Sequence, residues 1–79
     1  MTSVVSEAVW LQLLERDEYK CLNCNNEEDL QPAHYIARSL LGSNDVENIM
    51  LLCAYCHTKQ EQKRLLVRKI NNKFFFKEI

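Results

Sequence analysis

The chain has 79 residues, 47% hydrophobic and 27% charged, with one Gly, one Pro and a formal net charge of −1. This composition excludes a disordered, fibrous or low-complexity chain and leaves one small domain, of a size that buries only roughly 60% of the surface its unfolded form exposes. No apolar run reaches the ~18 residues of a membrane span, and the first twenty residues carry Glu7, Glu15, Asp17 and Glu18 in place of a basic start and an apolar core, so a cytoplasmic chain without membrane contact is expected.

In chain order, Val5, Val9, Trp10, Leu13 and Leu14 recur at helical spacing between about Ser3 and Arg16, with Thr2, Ser3 or Ser6 as N-caps. The spacing predicts an amphipathic first helix whose Trp10 and Leu14 belong to the core. An acidic, Asn-rich turn from Asn25 to Asp29 leads to a predicted strand from Leu30 to Ile36, and Arg38 to Asn48 reads as a loop holding the only Gly. The short apolar run Ile49-Met50-Leu51-Leu52 reads as a second strand, antiparallel to the first. A helix is expected from about Ala54, polar through Arg64 and apolar again at Leu65, Leu66, Val67 and Ile70. The ending Asn71 to Ile79, with Phe74, Phe75 and Phe76 in succession, is open to three readings: a strand, a docking tail, or part of something longer.

Charge is uneven along the chain. Residues 1–30 hold seven acids against Arg16 and Lys20, whereas residues 31–79 hold eight bases against four acids. The C-terminal part can face an anion, although a helix with a solvated basic side reads the same way.

The four cysteines form two C-x2-C pairs, Cys21–Cys24 and Cys53–Cys56. Each pair presents two sulfurs from one tight knuckle, and two knuckles complete a tetrahedron around Zn²⁺ with nothing left open for chemistry, so the site is structural. Two disulfides are the alternative, disfavoured in an unsecreted chain. Zinc held this way contributes on the order of 10 kcal/mol to folding, and the metal-free chain is expected to be largely unfolded. Outside the cysteines, chemistry rests on His34, Asn48 and His57. A neutral imidazole can take a proton from water or give a lone pair to a cation, and pairing of the two strands would bring the two histidines together near Asn48, beside the zinc site.

The stretch from Leu30 to His57, with His34, Gly42, Asn48 and His57 interleaved with the second knuckle, resembles the HNH endonucleases, and so does the approach Glu15-Arg-Asp-Glu-Tyr-Lys-Cys21-Leu-Asn-Cys24. The resemblance, which extends to small phage and bacterial members, covers roughly residues 6 to 64. It implies an α+β fold: a small zinc-stabilised ββα-metal (HNH, His-Me finger) unit with the N-terminal helix packed on it. It places residues 1–79 in a single nuclease domain with a motif core of about 19–64 and a tail of 71–79. By the same resemblance His34 is the general base, and His57 ligates a catalytic Mn²⁺ or Mg²⁺ distinct from the zinc. Asn48 either orients His34 through the loop or joins the metal shell. The implied substrate is double-stranded DNA, left with 5′-phosphate and 3′-hydroxyl ends. Arg38, Lys59, Lys63 and Arg64 are the candidate phosphate contacts.

One position departs from the family pattern. Many members carry a metal-ligating Asp, Glu or His just before the general base, where this chain has Ala33. A zinc-ribbon nucleic-acid-binding module weakened in catalysis is therefore the alternative to a working endonuclease, and a protein-interaction domain that docks through Phe74 to Phe76 is a third. So small a domain selects a DNA site tightly only as a homodimer or with a larger DNA-reading partner.

Overall fold

A computed structural model describes residues 5–37 and 40–79 of the chain, and no helix among them is long and apolar enough to cross a membrane. The order of elements is α1 (Glu7–Arg16), β1 (Leu30–His34), a single 3-10 turn (Val46–Asn48), β2 (Ile49–Cys53), α2 (Ala54–Glu61), β3 (Leu65–Ile70) and β4 (Lys73–Glu78). The expected α+β class holds, as two helices and two small antiparallel sheets.

Of the three residues offered as caps for α1, Ser6 takes the position. Its hydroxyl accepts from the Val9 N–H at 3.2 Å, with Glu7 in the positive first turn and Arg16 in the negative last one. Thr2 and Ser3 lie outside the described residues.

β1 and β2 pair antiparallel, Leu30 opposite Cys53 and His34 opposite Ile49. β1 stops two residues short of the expected Ile36, because Asn48 takes over the backbone groups of Ile36 that a longer ladder would have used. β2 is buried along its whole length. Ile49 and Leu51 join Leu13 of α1, while Met50 and Leu52 join Cys21, Ala33, Cys56 and Leu65 on the other side. The continuous apolar run of β2 follows from this arrangement, since successive side chains of a strand enter opposite layers.

The expected long C-terminal helix is corrected by the structure. α2 ends at Glu61, and residues 65–70 form β3, hairpin-paired with β4 from Leu65 opposite Glu78 to Ile70 opposite Lys73. Two features cause the change. Lys63 sits in the left-handed region at φ 60°, where Lys63 N–H donates to Gln60 O at 3.0 Å and Arg64 N–H to Lys59 O at 2.8 Å. That bond pair is a Schellman closure, which helices usually build on glycine. Asn71 and Asn72 then both take positive φ, 52° and 64°, as a two-residue hairpin turn of the I′ type requires. Of the three readings of the ending, the strand is the one adopted. α1 closes in the same manner, with Glu18 at φ 60° and Tyr19 N–H donating to Leu14 O at 2.9 Å.

An ion pair locks α1 onto β2. Asp17, whose side chain is only 5% exposed, accepts from Arg16 Nε at 2.7 Å and Nη2 at 2.8 Å and from the Leu51 N–H at 3.1 Å. Arg16 in turn donates to the carbonyls of Val46 and Ile49 at 2.7 and 2.6 Å, and its guanidinium lies 5.7 Å from the Phe74 ring centroid. One planar fork thus ties together the helix, the turn before β2, and the second hairpin.

A left-handed conformation costs a residue with a Cβ about 1 kcal/mol or more. Replacing Lys63 by Gly is accordingly expected to stabilise the chain by about 1 kcal/mol, read as a rise in the urea midpoint at unchanged m-value.

Candidate active site and metal centre

The two knuckles converge. The sulfurs of Cys21, Cys24, Cys53 and Cys56 all lie within 4.8 Å of one another, and Cys24 Sγ is 3.7 Å from Cys53 Sγ. A ZnS₄ tetrahedron with bonds of about 2.3 Å has edges of about 3.8 Å, so the donor set and its spacing suit zinc. Local backbone shapes each knuckle. Asn25, left-handed at φ 66°, returns its N–H to Cys21 O at 2.9 Å, while Cys21 N–H donates to Asn26 O at 2.8 Å. In the second knuckle Cys53 is also the N-cap of α2, its sulfur accepting from the Cys56 N–H at 3.5 Å. Leu22 N–H to Leu51 O, at 2.9 Å, fastens the first knuckle to β2, and Ala54 N–H to Asp29 O, at 2.8 Å, fastens the turn after it to the start of α2.

The thiols differ in acidity. Burial pushes Cys56 and Cys24 up; it opposes ionisation of Cys53 as well, but the Cys56 N–H and the neighbouring thiols outweigh it and bring Cys53 down to about 7. Four sulfurs this close cannot all be charged without a cation among them.

The two histidines are each anchored through one ring nitrogen, His57 directly after Cys56 and His34 at the end of the β1–β2 ladder away from Cys53. His34, at the end of β1, has Nε2 2.8 Å from Asn44 Oδ1, and its carbonyl accepts from Gln60 Nε2 of α2 at 3.0 Å. An amide oxygen only accepts, so the tautomer that makes this contact is the one with the proton on Nε2 and the lone pair on Nδ1. His57, in α2, has Nδ1 2.7 Å from Gln31 Oε1 of β1. Its lone pair is then on Nε2, which faces Glu61 Oε2 one helical turn on at 3.7 Å. Two acceptors face each other there, an arrangement that a proton or a metal cation between them stabilises.

Asn48, buried at the end of the 3-10 turn, spends its amide on the loop after β1. Oδ1 accepts from Ile36 N–H at 2.9 Å, and Nδ2 donates to Ile36 O at 3.0 Å and to Ser43 O at 2.8 Å. Its carbonyl accepts from Tyr35 N–H at 2.8 Å. Gly42 closes the same loop: a Cβ there would stand 1.7 Å from Ile36 O, so no other residue fits without moving backbone.

The remaining candidates fall in different surroundings. Ala33 is fully buried in the core among Cys21, Met50 and Leu65. Lys59 donates to the Glu78 carboxylate, which holds the lysine above its usual range and the glutamate below its own, and its ammonium lies 5.1 Å from the Tyr55 ring centroid. Lys63 and Arg64 are exposed in the turn after α2, and Arg38 lies outside the described residues. Sequence reasoning missed Gln31, Asn44 and Glu61. The i,i+4 spacing of His57 and Glu61 was readable; nothing in the sequence marks the other two.

An HNH endonuclease family model matches residues 21–63, from the first knuckle to the turn after α2, which is more than half of the chain. No curated protein matches it.

Chelation of zinc is expected to abolish the folded far-UV and near-UV circular dichroism together, with recovery on adding back one equivalent of Zn²⁺. Asn48→Ala leaves an amide N–H and two carbonyls of the loop without partners and is expected to cost about 2–3 kcal/mol in urea denaturation while leaving zinc stoichiometry unchanged.

Proposed function

This chain belongs to the HNH endonuclease family, and from that premise we propose that it is a metal-dependent endonuclease that hydrolyses phosphodiester bonds of DNA, with residues 1–79 forming one nuclease unit. The observation that carries the reading is the pair of anchored imidazoles: His34 meets an amide oxygen through Nε2 and His57 through Nδ1. One imidazole thereby offers a lone pair at Nδ1 and the other at Nε2, as a base and a metal ligand require.

In this reading His34 Nδ1 takes a proton from the attacking water. The water oxygen bonds to phosphorus, the bond to the 3′ oxygen breaks, that oxygen takes a proton from solvent water, and the products carry 5′-phosphate and 3′-hydroxyl ends. Asn44 keeps the proton on Nε2 and so keeps the basic nitrogen free. Asn48 holds the loop that carries Asn44; of the two roles open to it, its three side-chain bonds to loop backbone favour positioning over ligation. His57 and Glu61 would hold the divalent ion, with Gln31 fixing the orientation of the imidazole. Bound there, Mn²⁺ or Mg²⁺ supplies Lewis-acid stabilisation of charge on the scissile phosphate and its leaving oxygen. Glu61 offers a carboxylate in a chain whose residue before the base, Ala33, has none, and an imidazole-containing site of few protein ligands favours Mn²⁺ over Mg²⁺. Lys63, Arg64 and Arg38 are the proposed phosphate contacts beside the site, and a homodimer or a DNA-reading partner would supply site selection.

The test is cleavage of supercoiled plasmid by zinc-loaded protein. Nicked or linear product is expected with added Mn²⁺, less with Mg²⁺, and none without a second divalent ion. His34→Ala is expected to lower the rate at least a hundredfold and Glu61→Ala to raise the Mn²⁺ concentration needed at least tenfold, both at unchanged circular dichroism. Intact plasmid under all of these conditions, with DNA still bound, would overturn the enzyme in favour of the weakened binding module.

A further inference from the structure

The β3–β4 hairpin turns two unlike faces outward and inward. Inward, Leu65, Val67, Phe74 and Phe76 pack on the core, and Lys69 is taken by the Glu47 carbonyl. Outward stand Leu66, Arg68 and Ile70 on β3 and, directly opposite them, Lys77, Phe75 and Lys73 on β4. All six are exposed, and the three apolar ones stay as open to solvent as 51%, 47% and 51% for Leu66, Ile70 and Phe75.

This outer face is a checkerboard. Every cross-strand pair sets one cation against one apolar side chain, with Arg68 opposite Phe75 at the centre. No acid interrupts it, because the single acid of the hairpin, Glu78, is held by Lys59. Neither Arg68, Lys73 nor Lys77 makes an ion pair or side-chain hydrogen bond with any described residue. Four of the eight bases in residues 31–79 lie on these two strands, three of them on this one face.

A face that is merely solvated has no use for a half-exposed phenyl ring ringed by unpaired cations. Arg68 is the diagonal cross-strand neighbour of both Lys73 and Lys77, a separation of roughly 7–8 Å that suits successive phosphates of one strand, and an exposed aromatic ring offers a base a surface to stack on. A duplex keeps the faces of its bases stacked internally and gives Phe75 nothing to cover. We infer that the outer face of the β3–β4 hairpin binds single-stranded nucleic acid, Arg68, Lys73 and Lys77 contacting phosphates and Phe75 stacking on a base. The surface lies outside the family-matched residues 21–63, and it stands whether or not His34 and His57 are catalytic.

The experiment is a fluorescence-anisotropy titration of a labelled single strand of about fifteen nucleotides, and of its duplex, with the full zinc-loaded chain carrying His34→Ala and no other divalent ion added. The triple variant Arg68→Gln, Lys73→Gln, Lys77→Gln is expected to bind the single strand at least tenfold more weakly and to lose about 2 from the slope of log affinity against log salt, three contacts at roughly 0.7 each. Phe75→Thr, which keeps strand propensity, is expected to weaken single-strand binding about tenfold and leave duplex binding within about twofold. Circular dichroism on each variant separates lost contacts from lost folding, and the single charge reversal Arg68→Glu provides a second reading if the triple variant unfolds. Variants that bind the strand as tightly as their parent would overturn the inference, and so would equal affinity for the duplex, or binding to phosphatidylserine vesicles without binding to the strand. Plasmid cleavage is scored separately. Its failure removes the nuclease reading and leaves this surface standing, while unchanged strand binding removes this surface and leaves the nuclease reading.

Discussion

Four sulfur atoms within 4.8 Å of one another fix the separation of the elements around them. Two belong to the segment that follows α1, and two flank the junction of β2 and α2, so drawing them together closes a loop of about thirty residues that holds β1, His34 and Asn48, with His57 just beyond it. Without that closure the chain has little else of comparable strength, because its buried side chains form two small clusters on either side of β2. A domain of this size needs such a staple, and four thiolates able to hold a metal supply it within the cluster of Met50, Leu52 and Leu65.

Around that centre the polar network divides the labour. The Arg16–Asp17 pair holds α1, the turn before β2 and the second hairpin. Asn48 holds the loop after β1, where Gly42 leaves its backbone no spare room. Each histidine meets its amide partner across this frame: Asn44 reaches His34 from the loop, and Gln31 reaches His57 from the neighbouring strand. The acid and the amides matter less for the strength of single bonds than for removing alternatives, since a fixed tautomer presents its lone pair in one direction only.

Much of this was legible because metal ligation and strand burial leave spaced, type-specific marks. The C-x2-C pairs, the order of His34, Asn48 and His57, and the run Ile49 to Leu52 point to the ββα arrangement from sequence alone. The C-terminal hairpin was misread because Leu65, Leu66, Val67 and Ile70 satisfy a helical period as well as a strand, and the stop signal is a lysine in a conformation usually left to glycine. The sign that was available is the Asn71-Asn72 turn between two six-residue runs rich in Val, Ile and Phe. Gln31 and Asn44 were beyond reach, because an amide that steadies an imidazole sits at a spacing the fold decides. Glu61 lay within reach, one helical turn after a histidine.

Cys53 is at once one of the four sulfurs placed to hold a metal and the residue on which α2 begins. Loss of the first role undoes the second: once the sulfur is freed, the helix loses its starting point, and His57, four positions along, loses its direction toward Glu61. A chelator that strips such a centre therefore dismantles the helix, and any loss of function on chelation speaks to the scaffold before it speaks to a second ion. The same coupling makes zinc supply a switch on the whole molecule: a chain released without metal has neither a folded surface nor a poised histidine, and it acquires both in one step.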